Sequence, residues 1–355
     1  MAKYNVKGQP WRFPGAVNVE GCVSSKDVMI KAHLDFKVDK CQLVAKMPFD
    51  TDKTDDILDD MNAGNCFAHE ANIFRDCPGA FATFRTDVDV PLGIVKSKYE
   101  IVQNVDAFNF FDEAIGTNQA KWQTAGYFGD GERIFVSAKL PKHIKVNGDV
   151  TENYLVFANS HDGSSGVNIL FTPIRVVCEN TLNAAIKTAD SFVRFRHTKS
   201  VHDNIDMAAD ILGIVNNQME EVEERFNYLS TKHMDDKQVK EYIANSYLGV
   251  NKVIAIKEYD KLAGLDRIFN IDARAMEATG ISTRACNILH KTFDYYQNGI
   301  GQQEIAGTAY GAYNAITGYY SNIDNTFGED RMKKMLYGSA ATVMANALAF
   351  ATDFK

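Results

Sequence analysis

A polar loop between two apolar runs, near the middle of the chain, restricts the fold more than any other feature. The runs cover residues 154–159 and 167–171, and the loop between them reads HDGSSG. Its two glycines can take the positive φ angles that tight turns require. The pattern predicts a β-hairpin within a sheet.

The loop could also bind an anion. Backbone N–H groups in a glycine-rich turn can form a concave site for negative charge. An ordinary hairpin loop has the same composition, so both interpretations stay open. The candidate residues of this anion-binding loop are His161, Asp162, Gly163 and Ser164.

A second hairpin places the first in a larger sheet. Residues 122–128 and 134–140 are joined by Gly-Asp-Gly-Glu, and Asp-Gly favours turns with positive φ. At least five strands and two helices are predicted between residues 90 and 200. The sequence therefore predicts an α+β fold, with an antiparallel or mixed sheet, helices on one face, and a mostly helical C-terminal region.

We expect three regions along the chain. Residues 1–90 are predicted to form an N-terminal arm and a small α/β segment packed on the core. Residues 91–200 are predicted to form the central α+β sheet core, and residues 201–355 the helical C-terminal region. Helices are predicted there at about 236–248, 282–297, 302–322 and 329–350.

A heptad pattern marks the first C-terminal helix. Eight apolar residues recur at alternating spacings of four and three, which is typical of a narrow helix seam. The seam would pack inside its own bundle or form a contact between subunits of a homo-oligomer. Its residues are Ile205, Ala208, Leu212, Val215, Met219, Val222, Phe226 and Leu229.

Composition indicates a cytoplasmic protein. The net charge of −8 excludes a nucleic-acid binder that acts through bulk charge, so any basic surface must be local. Six cysteines without a CxxC pair are typical of reduced thiols in the cytosol. The N-terminus lacks an apolar signal core, and the apolar run 340–351 is shorter than the roughly 20 residues of a membrane span, so no membrane partner is expected.

The motifs of several enzyme classes are missing from the sequence. It contains no GxxxxGK[ST] loop, GxSxG elbow, HExxH pair or complete GxGxxG. Cys66 and His69 have a CxxH spacing, but no second pair would complete a zinc site. We therefore predict no catalytic residues, no cofactor and no metal.

The best candidate binding surface is the basic stretch 192–199, FVRFRHTK. As a strand it would place Arg194 and Arg196 on one face, where they suit a phosphate backbone beside an aromatic ring. The alternative is an edge strand protected by charge, with its aromatic residues in the core. Residues 96–99 (KSKY) form a similar, weaker patch. The candidate nucleic-acid-binding residues are Arg175, Lys187, Arg194, Phe195, Arg196, His197 and Lys199.

Several stretches, taken in order, resemble the phage/plasmid-like protein family, a domain of unknown function carried by phages, plasmids and integrative elements. The resemblance covers about residues 20–325. It implies an origin in a mobile element and a role on DNA, in the cytoplasm of an infected or plasmid-bearing bacterium. The stretches are LDFKV at 34–38, YEIVQN at 99–104, SHDGSS at 160–165, TPIRVVCENTL at 172–182, RHT at 196–198 and GTAYGAYNAIT at 307–317.

The order of hairpin, strand and helix is also loosely similar to phage single-strand annealing proteins of the Redβ and Erf kind, with no shared motif. Our first hypothesis is a DNA-metabolism protein that binds single-stranded DNA and assists annealing or recombination. The second is an oligomeric interaction or host-modulating protein that binds no nucleic acid. The third is an enzyme with a site around His161, Asp162 and Arg175.

Overall fold

The structure is a computed structural model of the 355-residue chain. It describes residues 7–48, 50, 52, 54–64, 66–69, 72–106, 108, 120–177, 180–181, 192–200, 209–336 and 338–353. Among these, residues 180–181, 192–193, 209–218 and 353 are described by their backbone alone. Lys187 lies outside the described residues.

The described strands form two antiparallel sheets. Together with the helical C-terminal region, they confirm the predicted α+β class. The central sheet contains β1 (Val17–Asn18), β6 (Lys121–Phe128), β7 (Arg133–Val146), β8 (Asp149–Ser160), β9 (Val167–Arg175), β10 (Asn180–Thr181) and β11 (Phe192–Phe195). The second sheet contains β2 (Val38–Pro48), β3 (Cys66–His69), β4 (Asn72–Arg85) and β5 (Val90–Lys96).

Both predicted hairpins are confirmed in the central sheet, whose strands run in the order β1-β6-β7-β8-β9. The β6–β7 turn contains Gly129 and Gly131 at φ of 56° and 115°. A Cβ on Gly131 would lie 2.9 Å from Cζ of Phe36, so this turn needs glycine for space as well as for φ. The outer edge of β9 pairs with β11 near Asn168 and with β10 near Arg175.

Strands β8 and β9 are buried on both faces of the sheet. Successive side chains of a strand point in opposite directions, so each strand contributes to two cores. On one face Leu155 and Phe157 join a core shared with the C-terminal helices. On the other, Tyr154 and Val156 pack beneath Trp11 of the N-terminal arm. Helices cover the first face as predicted, and one C-terminal helix also reaches the second.

The C-terminal region is helical, as predicted, and the helices near 236–248 and 282–297 are confirmed. The helix predicted at 302–322 begins later, and the one at 329–350 is two helices. The helices in this region are α3 (Ala209–Thr231), α4 (Asp236–Leu248), α5 (Val250–Tyr259), α6 (Gly264–Phe269), α7 (Ala273–Thr279), α8 (Thr283–Asn298), α9 (Ala309–Gly318), followed by a π-helical turn (Tyr319–Ile323), α10 (Gly328–Leu336) and α11 (Ser339–Asp353). Two further helices of the described chain lie between β1 and β3, α1 (Ser25–Lys31) and α2 (Thr54–Asn62).

The C-terminal half of the heptad seam is part of the chain's own core. Met219, Val222, Phe226 and Leu229 are all buried. The Phe226 ring lies 5.4 Å from that of Tyr310 on α9, measured between centroids. At these four positions the intramolecular interpretation holds, because the seam residues already have partners within the chain.

One segment of the described chain, Gly328–Thr352, is long and apolar enough to cross a membrane, with a mean hydropathy of 1.2. Core helices of soluble proteins share this composition, and 47% of the segment is buried within the fold. Its residues Ala340, Met344 and Leu348 pack in the helical core.

The second sheet has a much smaller core, made of Ile57, Cys66 and Ile73. Strand β4 is 14 residues long. The sheet is joined to the central one at β5, where a Cβ on Gly93 would lie 2.5 Å from Cα of Asp162. This close approach places the second sheet beside the loop between β8 and β9.

Candidate nucleic-acid interface

Strand β11 and the residue that follows it present two arginines to solvent. The strand pairs antiparallel with β9, with Arg194 opposite Asn168. Arg194 and Arg196 are exposed, whereas Phe195 is half-buried against the core and His197 is buried. The alternation expected of a strand therefore continues from residue 194 through residue 197, and the side chains of Phe195 and His197 face inward.

A remote segment packs directly beside this strand. The amide of Glu100 donates to the His197 carbonyl oxygen at 3.1 Å, and His197 Nδ1–H donates to the Glu100 carbonyl oxygen at 2.9 Å. The rings of Tyr99 and His197 stack at 4.4 Å between centroids, and the Tyr99 hydroxyl donates to the Ser160 carbonyl oxygen at 2.7 Å. The two basic patches of the sequence are therefore neighbours.

Lysine 40, on β2, adds a third segment to the same surface. The Lys40 ammonium donates to the Tyr99 carbonyl oxygen at 2.9 Å and lies 5.6 Å from the centroid of the Phe81 ring. Within the described residues, none of the six cations has a carboxylate partner, which leaves their charge available to a ligand. We call this set the basic surface: Lys40, Lys96, Lys98, Arg194, Arg196 and Lys199.

A cleft of about 660 Å³ adjoins the basic surface at Arg194. Arg133 lies at its centre, so we call it the Arg133 cleft. Arg133 Nη2 donates to Asp162 at 2.8 Å, Arg133 Nε donates to the Ser164 hydroxyl at 3.1 Å, and Nη1 pairs with Glu329. The other lining residues are Ser165, Asn168, Asp330, Lys333, Lys334, Gly338 and Ser339.

The predicted anion-binding loop already holds an anion of its own. The Ser164 amide donates to Asp162 Oδ1 at 2.9 Å, and the Ser160 hydroxyl donates to the same oxygen. Burial disfavours the charged form of Asp162, but the hydrogen bonds from Ser160 and Ser164 and the charge of Arg133 outweigh it, so the pKa of this carboxyl is lowered. The loop is thus organised around its own carboxylate.

His161 is not accessible to a ligand from this loop, whereas Gly163 is exposed. His161 is fully buried, and its Nε2–H donates to Asn104 Oδ1 at 2.9 Å. Burial lowers the pKa of His161 to about 3, and burial also lowers the pKa of His197. Gly163, at φ 72°, turns the chain against Val95 of β5.

Arg175 lies far from the other candidates, at the opposite end of β9. The seven residue-to-residue steps from Asn168 to Arg175 span roughly 23 Å of extended strand. The Arg175 side chain is fully buried, pairs with Asp149 and donates to the Gly301 carbonyl oxygen at 3.0 Å. It lies at the other end of the β8–β9 pair from His161 and Asp162, so the structure does not bring together the three residues of the enzyme site that we considered.

The structure therefore keeps three of the sequence candidates on one surface: Arg194, Arg196 and Lys199. It adds Lys40 and Arg133, which sequence reasoning missed. Both lie more than 50 residues from β11 along the chain, so no local pattern connects them with it.

A family model described as a domain of unknown function (DUF932) matches residues 91–341. The chain belongs to the DUF932 family. No curated protein and no solved structure matches the chain. The DUF932 match confirms the domain of unknown function, but begins later than the predicted resemblance and extends into α11. It contains the Arg133 cleft and the whole basic surface except Lys40.

Proposed function

We propose that this DUF932 protein binds single-stranded DNA across the basic surface. One observation carries the proposal: six cations lie on three remote segments that contact one another, with no carboxylate partner in the described part of the chain. Neutralising phosphates with such cations releases counterions, which favours binding at low salt. The acidic net charge elsewhere confines the strand to this surface.

Half-exposed aromatic rings on the same surface favour a single strand over a duplex. Tyr99 and Phe81 are both half-buried and lie beside the cations. Unpaired bases can stack on such rings, whereas the bases of a duplex are already stacked. Phe195 and His197 are not part of this contact, because their side chains face the protein interior.

The biological setting that we propose follows the family resemblance. The protein would act as a homo-oligomer in the DNA metabolism of a phage or plasmid, in annealing or recombination, in the cytoplasm of the host bacterium. The resemblance and the basic surface support this role together.

The direct test is fluorescence anisotropy with a labelled single-stranded 30-mer at low and moderate salt. We expect salt-sensitive binding that the double variant Arg194→Ala, Arg196→Ala weakens about tenfold or more. The matched control is Lys237→Ala with Lys261→Ala, which removes two exposed cations elsewhere and should leave the affinity unchanged. Equal binding by the two double variants would remove the proposal.

A second candidate function, oligomerisation without nucleic-acid binding, is favoured by the second sheet. The Phe67 side chain is 52% exposed although it stacks on Phe74 at 4.8 Å between centroids, and Ile94 is 65% exposed. A second copy of the chain would bury this apolar surface, which the three-residue core leaves uncovered. Light scattering of Phe67→Ser beside the parent tests this: a lower mass supports the contact, and an unchanged mass contradicts it.

A further inference from the structure

We propose that the Arg133 cleft binds a phosphate monoester, the terminal phosphate of a bound strand, and that Glu329 occupies its place in the free protein. The identity of the ligand as a strand end rests on the proposed function above. The phosphate site itself rests only on the geometry of the cleft.

Cations from two parts of the fold line the cleft. Arg133 and Arg194 come from the central sheet, and Lys333 and Lys334 come from α10, where Lys334 pairs with Asp324. Ser164, Ser165 and Ser339 also line the cleft. A volume of about 660 Å³ is within the range of small-ligand sites and is sufficient for a terminal nucleotide.

Glu329 already shows where an anion sits. Its Oε1 atom pairs with both Arg133 Nη1 and Lys333 Nζ, and its side chain is 31% exposed. A partly exposed carboxylate can rotate into solvent at modest cost, because surface ion pairs are weak. The two cations would then face an incoming anion.

Arg133 would keep its position when Glu329 leaves. The Asp162 carboxylate holds Nη2, and the Ser164 hydroxyl holds Nε, so the exchange frees Nη1 alone. The guanidinium is thus oriented in advance, which lowers the entropic cost of binding.

The cleft suits a monoester better than the diesters along a strand. A phosphate monoester carries about −1.5 to −2 charges at pH 7 and three acceptor oxygens, whereas a diester carries a single charge. Asp330 also lines the cleft, so a weakly charged group gains less there. Arg194 belongs to both surfaces and would guide the strand end from one to the other.

The test compares single-stranded oligonucleotides of one sequence that carry a 5′-phosphate, a 3′-phosphate or only hydroxyl ends. We expect the oligonucleotide with one of the two phosphorylated ends to compete about fivefold to tenfold better than the oligonucleotide with only hydroxyl ends. Glu329→Gln should raise the affinity for that oligonucleotide by about threefold, because it removes the competing anion. Lys333→Gln should abolish the difference between the ends.

A second measurement separates this proposal from the one it rests on. Inorganic phosphate alone should broaden its ³¹P resonance with the parent protein and with Glu329→Gln, but less with Lys333→Gln. Oligonucleotides that bind equally well with every end, together with no phosphate broadening, would overturn the cleft and leave the strand surface intact. Phosphate binding without oligonucleotide binding would support the cleft and remove the single-strand proposal. Thermal unfolding of each variant verifies that it is folded.

Discussion

The two ends of the outer edge of β9 carry the same residue type in opposite environments. Arg194 lies opposite one end, exposed and without a carboxylate partner among the described residues. Arg175 lies at the other end, fully buried and paired with Asp149. Both arginines follow apolar strand residues in the sequence. The local sequence pattern therefore does not determine whether an arginine is available to bind a ligand.

What covers each end explains the difference. The turn after α8 passes over Arg175, and a Cβ on Gly301 would lie 3.1 Å from Arg175 Nη1 and 2.7 Å from Val177 Cγ1. Gly301, at φ 69°, lets this turn close on the guanidinium. The other end of β9 opens into the Arg133 cleft, where Arg194 meets solvent.

The largest effect should follow from breaking the buried end. We expect Arg175→Ala to lower the free energy of unfolding by about 3–5 kcal/mol, because it leaves Asp149 buried without its cation. Chemical denaturation measures this. Arg194→Ala is the matched control and should stay within about 0.5 kcal/mol of the parent. A loss below about 1 kcal/mol for Arg175→Ala would show that the buried pair contributes little.

The stability of the fold should depend on pH through a second buried group, His161, which lies near the Arg194 end of β9. His161 has a pKa of about 3 in the fold, against 6.5 for the unperturbed residue, because burial disfavours its charged form. Below pH 6.5 the unfolded chain therefore binds a proton that the folded chain does not, and stability falls as the pH falls. We expect His161 to account for a loss of about 2 kcal/mol between pH 7 and pH 5.

Urea unfolding at pH 7, 6 and 5 measures this loss. His161→Gln removes the titrating group and should give a shallower dependence on pH than the parent. Equal slopes for the two proteins would mean that the proton is bound elsewhere. His197, whose pKa is also lowered by burial, should contribute in the same direction.

The exposed end should respond to salt rather than to denaturant. If Arg194 and Arg196 each neutralise one phosphate, replacing both by alanine should reduce the slope of log affinity against log salt by roughly 1.4. Titrations at four salt concentrations give this slope. An unchanged slope would mean that neither arginine contacts the backbone of the strand, even if the affinity falls.

The smallest effect is expected at Phe195, between the two arginines. Its side chain packs against the core, so Phe195→Leu should change the stability by about 1 kcal/mol or less and leave the affinity for single-stranded DNA unchanged. The same anisotropy assay decides between packing and base stacking. A loss of binding of about 1–3 kcal/mol would identify Phe195 as a stacking residue after all.

The local secondary structure of this protein could be predicted from its sequence. The two hairpins, the α+β class and the helical C-terminal region follow from apolar periodicity and from glycines in turns, which act over a few residues. The same reasoning placed Arg194 and Arg196 on one face of a strand. It could not show the length of β4, because a long strand with few buried residues has no strong pattern.

Which side chains are exposed and available to a ligand could be seen only in the tertiary structure. Arg175 is buried by a turn more than 120 residues away, and Tyr99 reaches His197 across nearly 100 residues. Arg133 meets Glu329 across almost 200 residues. Exposure and charge pairing depend on such distant contacts, which leave no mark in a local window of sequence, whereas helices and hairpins depend on neighbours along the chain.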